Sequence, residues 1–357
     1  MSKICKRFNL IAILAILTVL LLAACGDGDE QAGGDEADNG NGESAANDTE
    51  EEVDEDWEPT SNVEYIAPAD AGGGWDTLIR TTAQVIDEED LAPVNFAPVN
   101  VPGSGGAVAW AEIAAQAESD DLLFAASPPI ILVPLSGTSQ YDHNDFTPVS
   151  RLITDYSIVL VRNDSEFESI QDVFDAIEED PGSVSVGGGS SAGSMDHISF
   201  AGAASEAGLN AGDVNYVPFD GGGEAMTNLL GGHVDVVSTG VGEAMGQVEA
   251  GELRPIAVSS EEPLDSMPDA ETYIDQGIDY TFDIWRGIMG PPEMPASAVA
   301  YYENMYAEML ETESWEETRE SHGWIDAYQD SNEFGEFLDE QYEQFEDVLT
   351  DIGIVEE

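Results

Sequence analysis

Past Arg7 this chain has no lysine and only six arginines, against 74 aspartates and glutamates. A formal charge of -65 over 357 residues excludes nucleic-acid binding by phosphate neutralisation, which needs a basic face. Without lysine beyond Lys6 no Gly-x-x-x-x-Gly-Lys phosphate loop can form, and neither a strand-borne Gly-x-Gly-x-x-Gly nor a His-Glu-x-x-His occurs. Cysteine is limited to Cys5 and Cys25, so the folded part has no thiol for a disulfide, a thiolate nucleophile or a zinc cluster. No cofactor and no metal are expected, and the fold must rest on its apolar core alone. That core is affordable in composition: 42% of residues are hydrophobic, 8% aromatic, and 36 are glycine.

Only one long apolar run exists, Leu10 to Leu22, behind Lys3, Lys6 and Arg7 and ending in Leu22-Ala23-Ala24-Cys25-Gly26. This is the pattern of a bacterial lipoprotein signal peptide over residues 1–24, with Cys25 the residue to be lipidated. The protein is therefore expected outside the cytoplasm, lipid-anchored to the cell membrane. Cleavage removes three bases and no acid, which leaves 6 minus 74, or -68. An acid excess without lysine is similar to proteins of salt-loving organisms, whose self-repulsion is screened by concentrated salt. Residues 25–60 form an acidic tether, expected to be disordered. From Gly26 to Glu58 they include fifteen acids, no base, and almost nothing apolar before Trp57. No calcium-loop spacing appears there.

From residue 61 onward short β-branched runs alternate with amphipathic stretches. Strands are expected at Val63–Ala67, Val94–Val101, Leu122–Ala126, Ser157–Val161, Val184–Val186, Val214–Phe219, Val234–Ser238 and Pro255–Val258. Helices are expected over Asp76–Ile86, over Ser104–Ala117 behind an N-cap, and over Ala225–Leu230. This alternation predicts an α/β fold. After Trp285-Arg286-Gly287 the pattern turns to consecutive helices, with Ser314 and Glu317 as a capping-box pair. Core stripes run through Val299, Tyr302, Met305 and Met309, and through Phe334, Phe337, Leu338, Phe345 and Val348.

Four Gly-rich turns each follow a strand and precede a helix, where ligands sit in α/β proteins. They are Pro68 to Asp76, Asn100 to Gly106, Gly187 to His197, and Pro218 to Gly223. Glycine lets backbone amides approach an anion, and the helix start behind each turn adds a positive end. With the hydroxyls of Ser104, Ser190, Ser191 and Ser194 and no lysine, the set suits a small carboxylate held by neutral donors. A competing reading is catalytic, since Gly189-Ser190-Ser191-Ala192-Gly193 matches a nucleophile elbow. A secreted serine hydrolase would then have to draw its base from His197, His233 or His322. A ligand-sensing surface lipoprotein is a further alternative.

Taken in order, several runs together resemble the extracytoplasmic solute receptors of tripartite tricarboxylate transporters, the Bug receptors. They are Gly72-Gly73-Gly74-Trp75-Asp76 with Arg80, Asn100 to Gly106, Asp145-Phe146-Thr147-Pro148-Val149, Gly187 to His197 and Val217-Pro218-Phe219 with Gly221-Gly222-Gly223. Leu229 to Asp235, Gly251 to Val258 and Gly290-Pro291-Pro292 continue the likeness, which covers residues 62 to 357. Ser194-Met195-Asp196-His197 and Trp285-Arg286-Gly287 look closer to the tricarboxylate branch than to the amino-acid binders. The resemblance implies a non-enzymatic receptor of the two-lobed periplasmic-binding type (type II-like), with the ligand cleft between its lobes. Lobe 1 would span 61–160 plus 287–357 and lobe 2 161–286. It implies a small di- or tricarboxylate, citrate-like, and large and small membrane subunits as partners. In the family the first Gly-rich loop, up to the acid matching Asp76, and the loop matching Gly187 to Ser194 hold a ligand carboxylate, partly through water. Phe219 stands where the family often has Tyr, and Asp220 where it often has Lys or another residue. The expected ligand contacts are Gly72, Gly73, Gly74, Trp75, Asp76, Ser104, Gly105, Ser127, Ser190, Ser191, Ser194, Asp220, Gly221 and Gly222. Asp76 can serve as a first-turn acid or as the orienter of loop amides, and Arg80 as its ion-pair partner.

Overall fold

Two stretches of alternating apolar runs and amphipathic helices build the same strand arrangement twice. The computed structural model describes residues 53–351 and residue 355; the signal segment, Cys25 and the tether up to residue 52 lie outside the described residues. The first stretch runs β1 (Val63–Ala67), α1 (Gly74–Glu88), β2 (Phe96–Asn100), α2 (Ala107–Ala114), β3 (Leu122–Ala126) and α3 (Pro129–Leu135). Its strands are parallel, with β1 between β2 and β3. After β4 (Thr147–Arg162) and α4 (Ile170–Glu179), the second stretch runs β5 (Ser185–Gly188), α5 (Met195–Glu206), β6 (Asn215–Pro218), α6 (Gly222–Leu230), β7 (Val236–Gly240) and α7 (Val241–Glu249). Here β5 lies between β6 and β7, again parallel. In both halves the chain leaves the central strand to one side and returns to the other. The order therefore reverses at β1 and β5, opening a crevice at the carboxyl ends of the strands.

The halves share β4, a 16-residue strand. Its first part pairs antiparallel with β9 (Asp283–Gly290) and β10 (Ile325–Gln329) and its last part with β7 and β8 (Leu253–Val258). β9 also pairs with β3, which completes the order β2-β1-β3-β9-β4-β7-β5-β6. Three helices close the first half: α8 (Ala296–Leu310), α9 (Glu313–Ser321) and α10 (Ser331–Asp351). One hydrophobic core joins Val63 through Ile153 to Phe282 through Leu349, and takes in Met195 and Ile198. Two more cores lie on either side of the second half, between Ile158 and Ile278. The aromatic stripes behave as packing: Tyr302, Met305, Met309, Phe334 and Leu338 are buried, and Trp285 meets Phe334 and Phe337 edge-on at 5.6 and 5.7 Å. Each such side chain removed from water contributes about 1.5–3 kcal/mol.

Several local expectations are corrected. Trp285-Arg286-Gly287 does not precede an all-helical tail; it is the middle of β9, and β10 follows between two helices. A buried arginine inside an otherwise apolar strand hides the first, and the half-exposed edge character of Ile325–Gln329 hides the second. Ser104 does not cap α2, which starts at Ala107 after a 3-10 turn at Ser104–Gly106. Ser314 lies inside α9, where Thr312 is the N-cap and accepts from Trp315 N. The end of the expected tether is packed: Pro59 is buried, Trp57 stacks edge-on with Tyr301 at 5.5 Å, and Asp54 N donates to Ser297 Oγ at 2.7 Å.

Candidate ligand-binding site

Six strand-to-helix turns, those after β1, β2, β3, β5, β6 and β7, meet at the carboxyl ends of the two parallel sets around a cavity of about 360 Å³. The first half contributes Pro68 to Asp70, Gly73 to Trp75, Pro102 to Gly105, Ser127 and Pro129; the second contributes Gly189 to Ser191, Ser194 to Asp196, Pro218 to Gly222, Glu224 and Glu243. None of the six helices behind these turns is capped by the side chain of its own N-cap residue, although Asp196 N in the first turn of α5 donates to Ser190 Oγ at 2.9 Å and Gly242 N in the first turn of α7 donates to the Asp155 carboxylate at 3.3 Å. Away from the cavity the rule reverses for three helices out of four. Ser169 and Thr312 cap α4 and α9, and the Asp330 carboxylate takes the amides of Asn332 and Glu333 at the start of α10. The first amides of a helix have no intrahelical acceptor; at α1 and α6 no side chain among the described residues takes them, so these ends present donors and a positive dipole end toward the cavity, whereas α3 opens on Pro128-Pro129, which carry no N-H.

Close approach of backbones shapes the cradle. A Cβ on Gly189 would lie 2.1 Å from Gly222 N and 2.4 Å from Gly221 C, so the turns after β5 and β6 touch main chain to main chain. Ser104 has φ 51, inside a run in which Gly103, Gly105 and Gly106 also have positive φ. A left-handed serine is sparsely populated and costs of order 1 kcal/mol or more, and here it sets its hydroxyl on the cavity wall. A Cβ on Gly105 would meet Ser191 Oγ at 2.8 Å, so the turns after β2 and β5 touch across the crevice.

Of the expected contacts, Gly73, Gly74, Trp75, Ser104, Gly105, Ser127, Ser190, Ser191, Ser194, Asp220, Gly221 and Gly222 line the cavity. Gly72 and Asp76 do not. Asp76 is buried one layer behind, where its Oδ2 accepts from Gly72 N at 2.8 Å and its Oδ1 from Arg80 Nε at 2.7 Å. Arg80 also donates to Asn100 Oδ1 at 2.8 Å, which ties the turn after β1 to the end of β2. Asp76 is thus the orienter of the loop, with Arg80 as its ion-pair partner. Asp220 is exposed at the cavity edge, and its amide donates to Glu224 Oε2 at 3.2 Å.

Several wall and floor residues escape sequence reasoning. Asp196, in the first turn of α5, is 2% exposed and lines the cavity beside Ser194, with Oδ1 of the acid and Oγ of the serine both unpartnered. Burial pushes the Asp196 carboxyl up to about 7; the charge of Glu243 adds to this, while Ser190, the Gly189 amide and Arg286 oppose it. Arg286 of β9 lies under the first turn, where a Cβ on Gly74 would meet its Nη1 at 2.0 Å. Its Nη2 donates to the buried Asp155 of β4 at 3.3 Å. Burial raises the Asp155 carboxyl to about 6, against the pull of Arg286. Glu243 comes from the turn after β7, and its Oε2 accepts from Thr239 Oγ1 at 2.8 Å. The one legible signal was the Trp285-Arg286-Gly287 run, an arginine amid apolar residues in a chain with nine bases.

Residues 89–354 match the tripartite tricarboxylate transporter family receptor. The chain belongs to this family. A UPF0065 protein of Agrobacterium vitis is 27% identical over 243 residues, 67% of this chain and 68% of that protein. Among solved structures, a TctC solute-binding protein from Polaromonas is 26% identical and superposes with a TM-score of 0.61 over 82% of this chain and 99% of its own. The periplasmic binding protein BugD (18% identity) gives a TM-score of 0.76 over 83% and 99%. MatC from Rhodopseudomonas palustris with bound malate (20% identity) gives 0.73 over 82% and 99%. The likeness agrees with the two-lobed α/β architecture built from the duplicated strand order above.

Receptors of this family bind a solute and do no chemistry on it, and the elbow-like run in this receptor is accordingly not a triad. His197 is spent elsewhere: its Nδ1 accepts from Gly193 N at 2.9 Å, its ring stacks on Tyr216 at 4.6 Å, and burial lowers its pKa to about 4. Among the described residues no histidine hydrogen-bonds to Ser190, Ser191 or Ser194. Ser190 Oγ instead accepts from Asp196 N at 2.9 Å, and Tyr216 OH donates to Ser190 O at 2.8 Å. The described residues contain no group of three His, Cys, Asp or Glu placed to hold a metal, and no helix long and apolar enough to cross a membrane.

Proposed function

We propose that this protein is an extracytoplasmic receptor that closes on a small dicarboxylate or tricarboxylate and presents it to the large and small membrane subunits of a tripartite transporter. The single observation that carries the ligand class is the convergence of six strand-to-helix turns on a serine-lined cavity of about 360 Å³, with the starts of α1 and α6 open to it. Neutral N-H and O-H donors at close range hold a carboxylate, while the acids at the mouth, Asp70, Asp220 and Glu224, are screened beyond about 3 Å in 1 M salt. The cavity lies at the small end of ligand pockets, roughly 300–1,000 Å³. Relatives determined with malate and with adipate support a four- to six-carbon diacid at least as well as a citrate-like one. Lobe 1 is then the part whose core holds Val63 to Ile153 and Phe282 to Leu349, lobe 2 the part between, and β4 the strand that hinges them. Lipid on Cys25 would hold the receptor at the membrane.

A thermal-shift screen of residues 53–357 in 2 M salt tests the reading, with malate, succinate, adipate, citrate, aspartate and neutral sugars as probes. A carboxylate at 100 times its dissociation constant stabilises by about 2.7 kcal/mol, several degrees in melting temperature. A shift with sugars alone would sink the anion-cradle reading. Replacing Cys25 by serine in a bacterial host is expected to move the protein from the membrane to the soluble fraction; retention at the membrane would count against the lipid anchor.

A further inference from the structure

The cavity wall has a feature that a carboxylate site should avoid: a second carboxylate inside it. Asp196 is 2% exposed, lines the cavity, and keeps Oδ1 without a partner, next to the equally unpartnered Oγ of Ser194. Each element packed against it contributes a known group. Glu243 faces it from α7, Arg286 from β9, and Tyr216 from β6, with Ser190 and the Gly189 amide in the turn after β5. The adjacent His197 turns to Tyr216 and Gly193, and Arg286 is already paired with Asp155 of β4. The single cation is therefore shared, while Glu243 opposes a charge on Asp196. An ionised Asp196 would face both Glu243 and a ligand anion in a poorly hydrated floor, which is strongly unfavourable. A protonated one supplies a hydrogen-bond donor where the serines and amides already supply theirs.

We propose that Asp196 enters the ligand site as a neutral carboxylic acid, whose O-H donates to a ligand carboxylate, so that each ligand bound takes up a proton from solvent. This rests on the carboxylate-receptor reading above and adds a binding residue and a linkage to it. Burial and Glu243 already hold the Asp196 carboxyl near 7, so the ligand-free protein is part ionised at neutral pH. Affinity should then fall as pH rises through that range and beyond, a window in which a diacid of pKa about 4 stays fully ionised.

The experiment is calorimetric titration of the protein with malate and adipate between pH 6.5 and 8.5, in buffers of different ionisation enthalpy. Wild type is expected to lose about tenfold or more in affinity across this range and to take up close to one proton per ligand at pH 8. Asp196→Asn, which keeps a neutral donor, should bind within a few-fold of wild type at pH 6.5, with no slope above it and no proton uptake. Glu243→Gln leaves Asp196 in place and should move the midpoint of the affinity loss to lower pH, which keeps the test decisive if the asparagine variant does not fold. A flat wild-type profile, a slope retained in Asp196→Asn, loss of binding at every pH in a folded Asp196→Asn, or an unmoved midpoint in Glu243→Gln overturns the proposal. Absence of carboxylate binding at any pH by the folded wild type instead overturns the receptor reading, and this inference with it.

Discussion

Glycine-to-alanine at two places in the same cradle should have opposite effects. At Gly189 the new methyl would sit 2.1 Å from Gly222 N and 2.4 Å from Gly221 C. Both are main-chain atoms that cannot swing away, so the turns after β5 and β6 must part by roughly an ångström, at a cost of about 1–3 kcal/mol of overpacking strain. The same parting pulls the starts of α5 and α6 off a common ligand, and about 1.4 kcal/mol of lost contact is a tenfold loss of affinity. At Gly223, one turn further on, nothing lies within 4 Å of the added carbon and the residue is exposed within α6. Alanine there should leave binding unchanged and raise stability by up to about 1 kcal/mol through helix propensity. Guanidinium denaturation followed by tryptophan fluorescence measures the first quantity, and titration with the best ligand of the screen measures the second. Equal behaviour of the two variants, in either assay, would refute the claim that contact between these two main chains shapes the site.

Asp76→Ala should weaken ligand binding by about 1 kcal/mol or more with a small loss of stability. The Gly72 amide loses its acceptor, while the exposed Arg80 keeps Asn100 and water; unchanged affinity on titration would remove Asp76 from the site. Arg286→Met strands the buried Asp155 carboxylate and should cost about 3–5 kcal/mol at pH 8. The folded pKa of Asp155 already lies above its unfolded value, so its ionisation opposes folding as pH rises through about 6. The variant should therefore lose less stability at pH 5 than at pH 8, and a pH-independent loss would contradict the pairing. With a formal charge of -65, melting temperature should climb from 0.1 M to 2 M sodium chloride as self-repulsion is screened. A flat salt profile would argue against a salt-adapted surface.

Local chemistry made much of this molecule legible. The runs Val63–Ala67 and Leu122–Ala126 coincide with β1 and β3; β3 is buried at every position and leaves a continuous apolar signature, and β1 departs from it only at the exposed Glu64. The four Gly-rich turns could be placed on the cavity because, although one such turn is usually only a tight turn, four that each follow a strand and precede a helix fall at the same ends of the strands. What no pattern carried were the residues whose role depends on partners far away in sequence. Asp196 reads as an ordinary first-turn acid, and only its burial beside Glu243 and beneath the cavity makes it a group that titrates near 7. Arg286 meets Asp155 from 131 positions away, and β10 is a strand because β4 offers it an edge, not because Ile325–Gln329 alternates. The sequence by itself determined the strand-and-turn grammar and the absence of thiol and lysine chemistry in the folded part, and so a site built largely on neutral donors. The tertiary structure alone decided which acids are buried, which cation they share and which first-turn amides are taken by side chains from elsewhere, as Gly242 N is by Asp155. Desolvation and pairing energies arise only when segments from opposite halves of the chain are brought within a few ångströms.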